Sequence, residues 1–308
     1  MEAKKKLTFS QCSLYMNCPR AWSHRYRDCL VKLDREETSL RVGSNWHKLL
    51  ELWLNGKDAM AQLEKDYADR NMDQSGDMVQ EFARLRGMFL AYSARYSRKE
   101  YSAIETEKPI KAEIYNPDTG SVSRTFEFHG VADGLALRQD GSWALLEHKT
   151  SSKIDAAYIR RVSTFDFQVA LYFAALNQTG IPLTGVIYDA IQKPTIKLTK
   201  KENEETYSAR VAQWYQDNPD AIFRQEITLS PDDLLQAQRL LWSVTQKILL
   251  DSRLGFFAQN PGNCEKWGSF CHYFELCSSK NNPAVRESLY EVREANPELK
   301  VIQPAPAF

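Results

Sequence analysis

No run in this 308-residue sequence approaches the roughly 20 consecutive apolar residues of a membrane span. Charge of one sign is also missing. Lys plus Arg and Asp plus Glu number 40 each, so any basic groove for a nucleic acid has to be local. Lys4-Lys5-Lys6 lead into no apolar core, which excludes a secretory signal and predicts a cytoplasmic location with reduced thiols. No Walker A sequence G-x-x-x-x-G-K-[ST] occurs, so a stand-alone nuclease or nuclease subunit would be expected rather than a fused helicase motor. Close C-x2-4-C knuckles and a repeat period are absent too. What remains is ordinary for a globular chain: 43% hydrophobic and 26% charged residues, enough for one large domain or two small ones.

Periodicity divides the chain into helices, then strands, then an alternation of both. Three- and four-residue apolar steps predict helices over Ser10–Tyr26, Ser39–Leu54 and Asp77–Arg95, with Pro19 kinking or restarting the first. Strands follow at Ala103–Tyr115, Arg124–Leu137 and Trp143–Lys149, separated by the turn signals Pro117-Asp118-Thr119-Gly120 and Gln139-Asp140-Gly141. A helix at Phe165–Asn177, a buried strand at Thr184–Ile191, a charged helix at Lys200–Tyr215, a strand at Ile222–Leu229 and a long helix at Pro231–Leu254 come next. From Asn260 the sequence is loop-like and cysteine-bearing, and Gln303–Phe308 reads as a flexible tail. This order predicts an α/β fold, a central mixed sheet with helical cover. One domain over 1–285 and a tail over 286–308 are expected.

Asp133 and the run Leu145-Leu146-Glu147-His148-Lys149-Thr150 carry the chemistry. Glu147 and Lys149 are two apart and share one face of a strand. Asp133 lies fourteen positions before Glu147, far enough for a hairpin to return it to that face. Two acids and an amine can hold a divalent metal, position a water and cut a phosphodiester. Lys149, beside a metal on Glu147, could carry a lowered pKa and orient or deprotonate that water. On residue types alone, acid-x-Lys on a strand is common, and a surface hairpin with an exposed Glu147–Lys149 ion pair is the reading it favours.

Further features bear on that choice. His47 is i+4 from Gly43, with Glu51 on the same helix face, and an imidazole there can complete an Mg²⁺ or Mn²⁺ site. Gln168 and Tyr172 are also i and i+4 and can face the acids, or can cap and fill a core helix. Cys264, Cys271 and Cys277 form C-x6-C-x5-C, and Cys18 precedes Pro19-Arg20. Four thiolates can hold a [4Fe–4S] cluster or Zn²⁺, and the wide spacing favours the cluster. With Cys18 as the fourth ligand, the group would staple the first helix to the C-terminal segment. His272 is an alternative ligand. Cys12 and Cys29 lack partners at useful spacing and are expected as buried thiols.

Together these segments resemble the RecB-like iron–sulfur exonucleases of the PD-(D/E)xK nuclease superfamily, a group that includes CRISPR-associated RecB-type enzymes and the AddB nuclease domain. The resemblance runs from about Phe9 to Cys277. It is carried by Phe9–Trp22 with Arg25-Tyr26, by Gly43–Glu51, by Gly130-Val131-Ala132-Asp133-Gly134, by Glu147-His148-Lys149-Thr150-Ser151, by Gln168 and Tyr172, and by one early and three late cysteines. Two departures stand out: C-x6-C replaces a tighter C-x2-C pair, and Glu147 stands where many relatives have Asp.

The resemblance implies a restriction-endonuclease-like core closed by a C-terminal cysteine-rich segment. It implies a metal-dependent DNA exonuclease for single strands or ends, working in recombination, repair or CRISPR and viral DNA processing, with a possible helicase or CRISPR partner protein. His47, Asp133 and Glu147 would hold Mg²⁺ or Mn²⁺. Lys149, Gln168 and Tyr172 would serve the scissile strand, and Cys18, Cys264, Cys271 and Cys277 would hold [4Fe–4S], or else Zn²⁺. Arg20, Arg25, Arg160 and Arg161 are candidate phosphate contacts that fit a solvated face equally well. A non-catalytic DNA-binding or assembly subunit of the same fold is the rival.

Overall fold

The computed structural model describes residues 3–33, 38–68, 76–266 and 268–300. The flexible tail expected at Gln303–Phe308 lies outside them. The chain begins with β1 (Lys5–Leu7), α1 (Phe9–Asn17), α2 (Pro19–Trp22) and β2 (Leu30–Lys32). Helices α3 (Thr38–Leu54), α4 (Ala59–Ala68) and α5 (Gly76–Arg95) precede three strands, β3 (Ala103–Tyr115), β4 (Val122–Leu137) and β5 (Trp143–Ser151). Then come α6 (Ala156–Phe165), α7 (Phe167–Gln178), β6 (Leu183–Gln192), α8 (Glu204–Asp217), β7 (Ile222–Ile227) and α9 (Pro231–Leu254). Short pieces finish the described chain: β8 (Glu265–Lys266), β9 (Ser269–Phe270), α10 (Phe274–Ser278), α11 (Pro283–Leu289) and β10 (Tyr290–Val292).

Among the described residues, six strands make one mixed sheet. β3 and β4 form a long antiparallel hairpin. The other edge of β4 is divided between two neighbours. β1 runs parallel to it at Phe126–Phe128, and β5 runs antiparallel to it at Gly134–Leu137. Between them, residues 129–133 of β4 carry no strand on that edge among the described residues. Beyond β5 the sheet continues with parallel β6 and antiparallel β7.

Helices cover both faces. Leu7, Phe128, Leu145 and Val186 pack with α7 and α9 residues such as Val169, Leu176, Leu241 and Ile248. On the other side Trp46, Leu49, Leu63, Phe82, Met88 and Tyr207 from α3, α4, α5 and α8 meet Ile191 and Ile222 of the sheet. Helix α7 is buried all round from Val169 to Leu176, as expected of a helix with apolar residues on every side. Helix α9 starts at a Ser230 capping box with Pro231 behind it and stops at left-handed Gly255, so its ends match the expected ones.

The expected single helix Ser10–Tyr26 is interrupted. Cys18 is extended (φ −162, ψ 107), because the residue before a proline avoids the helical region. The chain restarts as α2 and passes into a π-helical turn, Ser23–Arg27. Two helices escaped the sequence reading. In α4 only Ala59, Leu63 and Tyr67 are buried, and α6 buries little beyond Val162, so neither shows a broad apolar stripe. The segment after Asn260 is more structured than expected. It holds the β8–β9 hairpin and two short helices, and Tyr290–Val292 pairs antiparallel with β2.

Candidate active site

Strand β5 alternates. Leu145, Glu147 and Lys149 point one way, and Leu146 and His148 point the other. Glu147 is 1% exposed and sits in ion-pair contact with the Lys149 ammonium through Oε1. Its burial removes the exposed surface-pair alternative. Lys149 Nζ donates to Gln168 Oε1 at 3.0 Å. Gln168 reaches it from the first turn of α7, which the Asp166 side chain caps by accepting from Gln168 N and Val169 N.

Tyr172 lies one turn further along α7, and its ring is buried against β4. A Cβ added at Gly130 would come within 2.8 Å of Tyr172 Cε1, so glycine is what lets ring and strand meet. Gln168 lies within hydrogen-bonding reach of its hydroxyl.

Asp133 stands where β4 and β5 part. The last ladder pair is Gly134 with Leu146. Beyond it, Asp133 Oδ2 accepts from the His148 backbone N–H at 2.7 Å, and Oδ1 lies 3.1 Å from His47 Nδ1 on α3. Gly134 is needed at this junction, since a Cβ there would lie 2.8 Å from the Glu105 carbonyl oxygen. All five expected catalytic residues, Asp133, Glu147, Lys149, Gln168 and Tyr172, are thus gathered with His47 around the split.

Charge follows from burial and neighbours. Burial pushes Asp133 up, but His47 and then His148 and Lys149 outweigh it and hold the carboxyl well below its usual range. Burial pushes Glu147 up to about 7, against the pull of Lys149. Burial pulls Lys149 down, but Glu147 and Asp133 more than reverse this and raise it. In the metal-free chain two carboxylates thus keep this amine an ammonium, whereas the lowered pKa is expected beside a metal. His47 is raised as well, because Asp133 and the other acids together overcome burial.

Sequence reasoning missed Glu107 and the support behind β5. Glu107, partly buried on β3, takes a left-handed backbone (φ 49), and burial followed by Asp133 and Glu51 pushes its carboxyl up to about 7. On the opposite face, His148 Nδ1 lies 3.4 Å from Asp189 Oδ2. Asp189 is buried, accepts from Arg224 Nε at 2.6 Å and from Tyr92 O–H at 2.6 Å, and lies well below its ordinary pKa, at about 2. A lone acid inside the apolar strand Thr184–Ile191 was the available signal for this network.

Cys18, Cys264, Cys271 and Cys277 line one cavity of about 220 Å³ together with Tyr273 and Phe274. Cys277 Sγ lies 3.8 Å from Nε2 of buried His24. Cys12 is a buried core thiol, pushed up to about 12 by desolvation. Cys29 is half-buried and left-handed (φ 56). Arg20 lies at the cysteine end, 6.0 Å over Phe256, and Arg25 donates to the Glu294 carbonyl at 3.2 Å. Arg160 and Arg161 are exposed on α6, Arg161 over Tyr158 at 5.2 Å.

Among the described residues, no three His, Cys, Asp or Glu side chains converge as ligands around an ion would. The donors still suit a hard divalent cation. Glu147 offers a buried carboxylate whose Oε1 meets the Lys149 ammonium, and Asp133, held well below its usual range, has an imidazole at 3.1 Å.

A mixed sheet that splits beside Asp133, with Glu147 and Lys149 on the strand that diverges, defines a class, and the chain belongs to it: the PD-(D/E)XK nuclease superfamily, matched over residues 6–278. Among solved structures it is similar to SSO0001, at 14% identity and a TM-score of 0.37 over 80% of this chain and 78% of that one. It is also similar to a protein from Eubacterium rectale named as a candidate exonuclease, at 13% identity and a TM-score of 0.46 over 83% and 84% of the two chains. No curated protein matches the chain. No helix among the described residues is long and apolar enough to cross a membrane.

Proposed function

We propose that this protein is an Mg²⁺- or Mn²⁺-dependent deoxyribonuclease of the RecB-like branch, acting on single strands or DNA ends. The observation that carries the reading is Glu147: a buried carboxylate held in ion-pair contact with Lys149, across the strand split from Asp133. A buried acid–ammonium pair carries a desolvation cost, and such perturbed groups cluster at functional sites.

His47, Asp133 and Glu147 would hold the cation. When bound, it supplies Lewis acidity toward the phosphate and polarises a water. The protein does the rest. The His148 N–H and His47 fix Asp133. Lys149, kept protonated by its acid neighbours, places positive charge where the phosphate becomes more negative. Gln168 holds that ammonium in position, and Tyr172 steadies α7 against Gly130.

We assign the four-cysteine cavity to a [4Fe–4S] cluster that ties α1 and α2 to the C-terminal segment. Cys18 and the three late thiols border the same space, and Cys18, Cys271 and Cys277 pack with Ala21, Leu30, Leu276 and Tyr290 in a small core of their own.

The test is digestion of end-labelled single- and double-stranded DNA by anaerobically purified protein with Mn²⁺ or Mg²⁺. Wild type should cut, and Glu147→Ala and Lys149→Ala should lose at least about 100-fold, the scale of removing one electrostatic stabiliser. Undiminished cutting by either variant sinks the reading. DNA binding without cutting under every metal would favour a non-catalytic subunit.

A further inference from the structure

Helix α6 lies in the stretch of chain between two residues that meet. Lys149 precedes it on β5, Gln168 follows it on α7, and the two are joined at 3.0 Å. Both ends of the helix are therefore tethered beside the Glu147–Lys149 pair. Its inner side is fixed to the sheet. Val162 is buried in the main core, and Ser163 Oγ donates to Gln225 Oε1 of β7 at 3.0 Å.

The outer side has another composition. Ala156, Ala157, Arg160, Arg161 and Thr164 are exposed, and their spacing puts them on one face. That face carries two guanidinium groups and no acid, in a chain with as many acids as bases. Among the described residues, neither Arg160 nor Arg161 meets a carboxylate. Exposed Lys48, Lys153 and Arg239 are each held by one.

Arg161 is also supported from beneath. Its guanidinium lies over the Tyr158 ring at 5.2 Å, one turn back along the helix. The Tyr158 hydroxyl meets the Tyr188 hydroxyl at 3.4 Å. Tyr188 is buried on β6, where it is the register partner of Glu147. Burial raises the Tyr158 pKa, and Tyr188, Arg161 and Lys149 pull it back, so guanidinium and ammonium both lie near this hydroxyl. A planar fork already laid on an aromatic face loses less freedom on binding an anion than a free side chain does. The other candidate arginines stand elsewhere, Arg20 over Phe256 at the cysteine end and Arg25 on the Glu294 carbonyl.

We infer that Arg161 binds a backbone phosphate of the nucleic-acid strand that Lys149 serves, with Tyr158 as its positioning residue and Arg160 adding charge beside it. This rests on the nuclease reading above, and it assigns the outer face of α6 as the surface that guides the strand to the centre. A phosphate contact fixes register and carries no base preference.

The experiment is a fluorescence-anisotropy titration of the full chain with labelled single-stranded oligothymidylate in chelator, at salt from about 50 to 200 mM, beside the cutting assay with Mn²⁺. Circular dichroism checks the fold of each variant. Arg161→Met should bind about tenfold more weakly, the scale of one charge-assisted hydrogen bond. Its plot of log affinity against log salt should be shallower by about 0.7, the share of one phosphate on a single strand. In the cutting assay its KM should rise with little change in kcat. Tyr158→Leu removes the platform and should weaken binding, while Tyr158→Phe keeps the ring and should stay closer to wild type. Arg239→Met removes an exposed charge from α9 and should leave affinity unchanged. Wild-type affinity, salt slope and KM in Arg161→Met, or an equal loss in Arg239→Met, overturns this proposal. Cutting by wild type that Glu147→Ala abolishes would then leave the nuclease reading standing. Wild type that neither binds nor cuts DNA overturns both.

Discussion

Asp133 takes the backbone N–H of His148 into its carboxylate at 2.7 Å, at the point where the β4–β5 ladder stops. One side chain thus ends a strand pairing, satisfies the amide that the parting strands expose, and presents its other oxygen to His47. The centre is built on a deliberate break in the sheet.

Asp133→Ala should therefore cost stability as well as activity. It orphans the His148 N–H and removes the partner of His47, a loss of about 1–3 kcal/mol. Asp133→Asn keeps an acceptor and should cost less, while abolishing cutting equally. Urea denaturation alongside a nuclease assay separates the two effects, and equal stability of Ala and Asn variants would count against this role.

The metal-free protein should lose stability as pH rises from about 5 toward 8. Glu147 is raised from 4.5 to about 7 in the folded chain. Its contribution is present in full below the unfolded value and disappears as pH climbs through the folded one, up to about 3 kcal/mol for a shift of this size. His47, also raised, acts in the same direction near neutrality. Denaturation midpoints in chelator at pH 5, 6, 7 and 8 should fall, and Glu147→Gln should flatten the decline. A wild-type midpoint that climbs over this interval would contradict the assignment.

Arg224→Met should destabilise by about 3–5 kcal/mol, because it leaves Asp189 buried without its guanidinium, which binds through Nε at 2.6 Å and Nη2 at 2.8 Å. His148, packed against the same acid, would lose its fixed position, so cutting should fall too. Chemical denaturation of the variant checks the first effect and a DNA assay the second.

Gly130→Ala should cost about 1–3 kcal/mol through overlap with the Tyr172 ring. Much of that cost should vanish in a Tyr172→Leu background, where the ring is gone. A double-mutant cycle measures the coupling, and additive effects would show that the two residues do not meet.

Serine at Cys18, Cys264, Cys271 or Cys277 should abolish iron content and visible colour and lower the melting temperature. Cys12→Ser, in the core away from the cavity, should leave the iron unchanged. Iron analysis of anaerobically purified variants decides it. Stoichiometric zinc in colourless wild type would replace the cluster with Zn²⁺.

Sequence reading went far where a signal repeats or is bounded. The α9 limits were legible because a capping box, a proline and a glycine mark them. The hairpin strands were legible because alternation persists over many residues. Weak stripes hid α4 and α6. Three-residue β1 and β2 were too short for any period, and each is a strand only because β4 or β10 pairs with it.

The sequence by itself determined the chemistry available: two acids, an ammonium and an imidazole in recognisable local settings, and four cysteines at the two ends of the chain. It determined the helical and strand content that carries them. Only the tertiary structure decided the electrostatics. Burial of Glu147, the two carboxylates that keep Lys149 charged, and the strand split at Asp133 all depend on residues far apart in the chain. Glu107 shows the difference most clearly. Its neighbours Asp133 and Glu51 come from another strand and a helix, and no local pattern records that they meet.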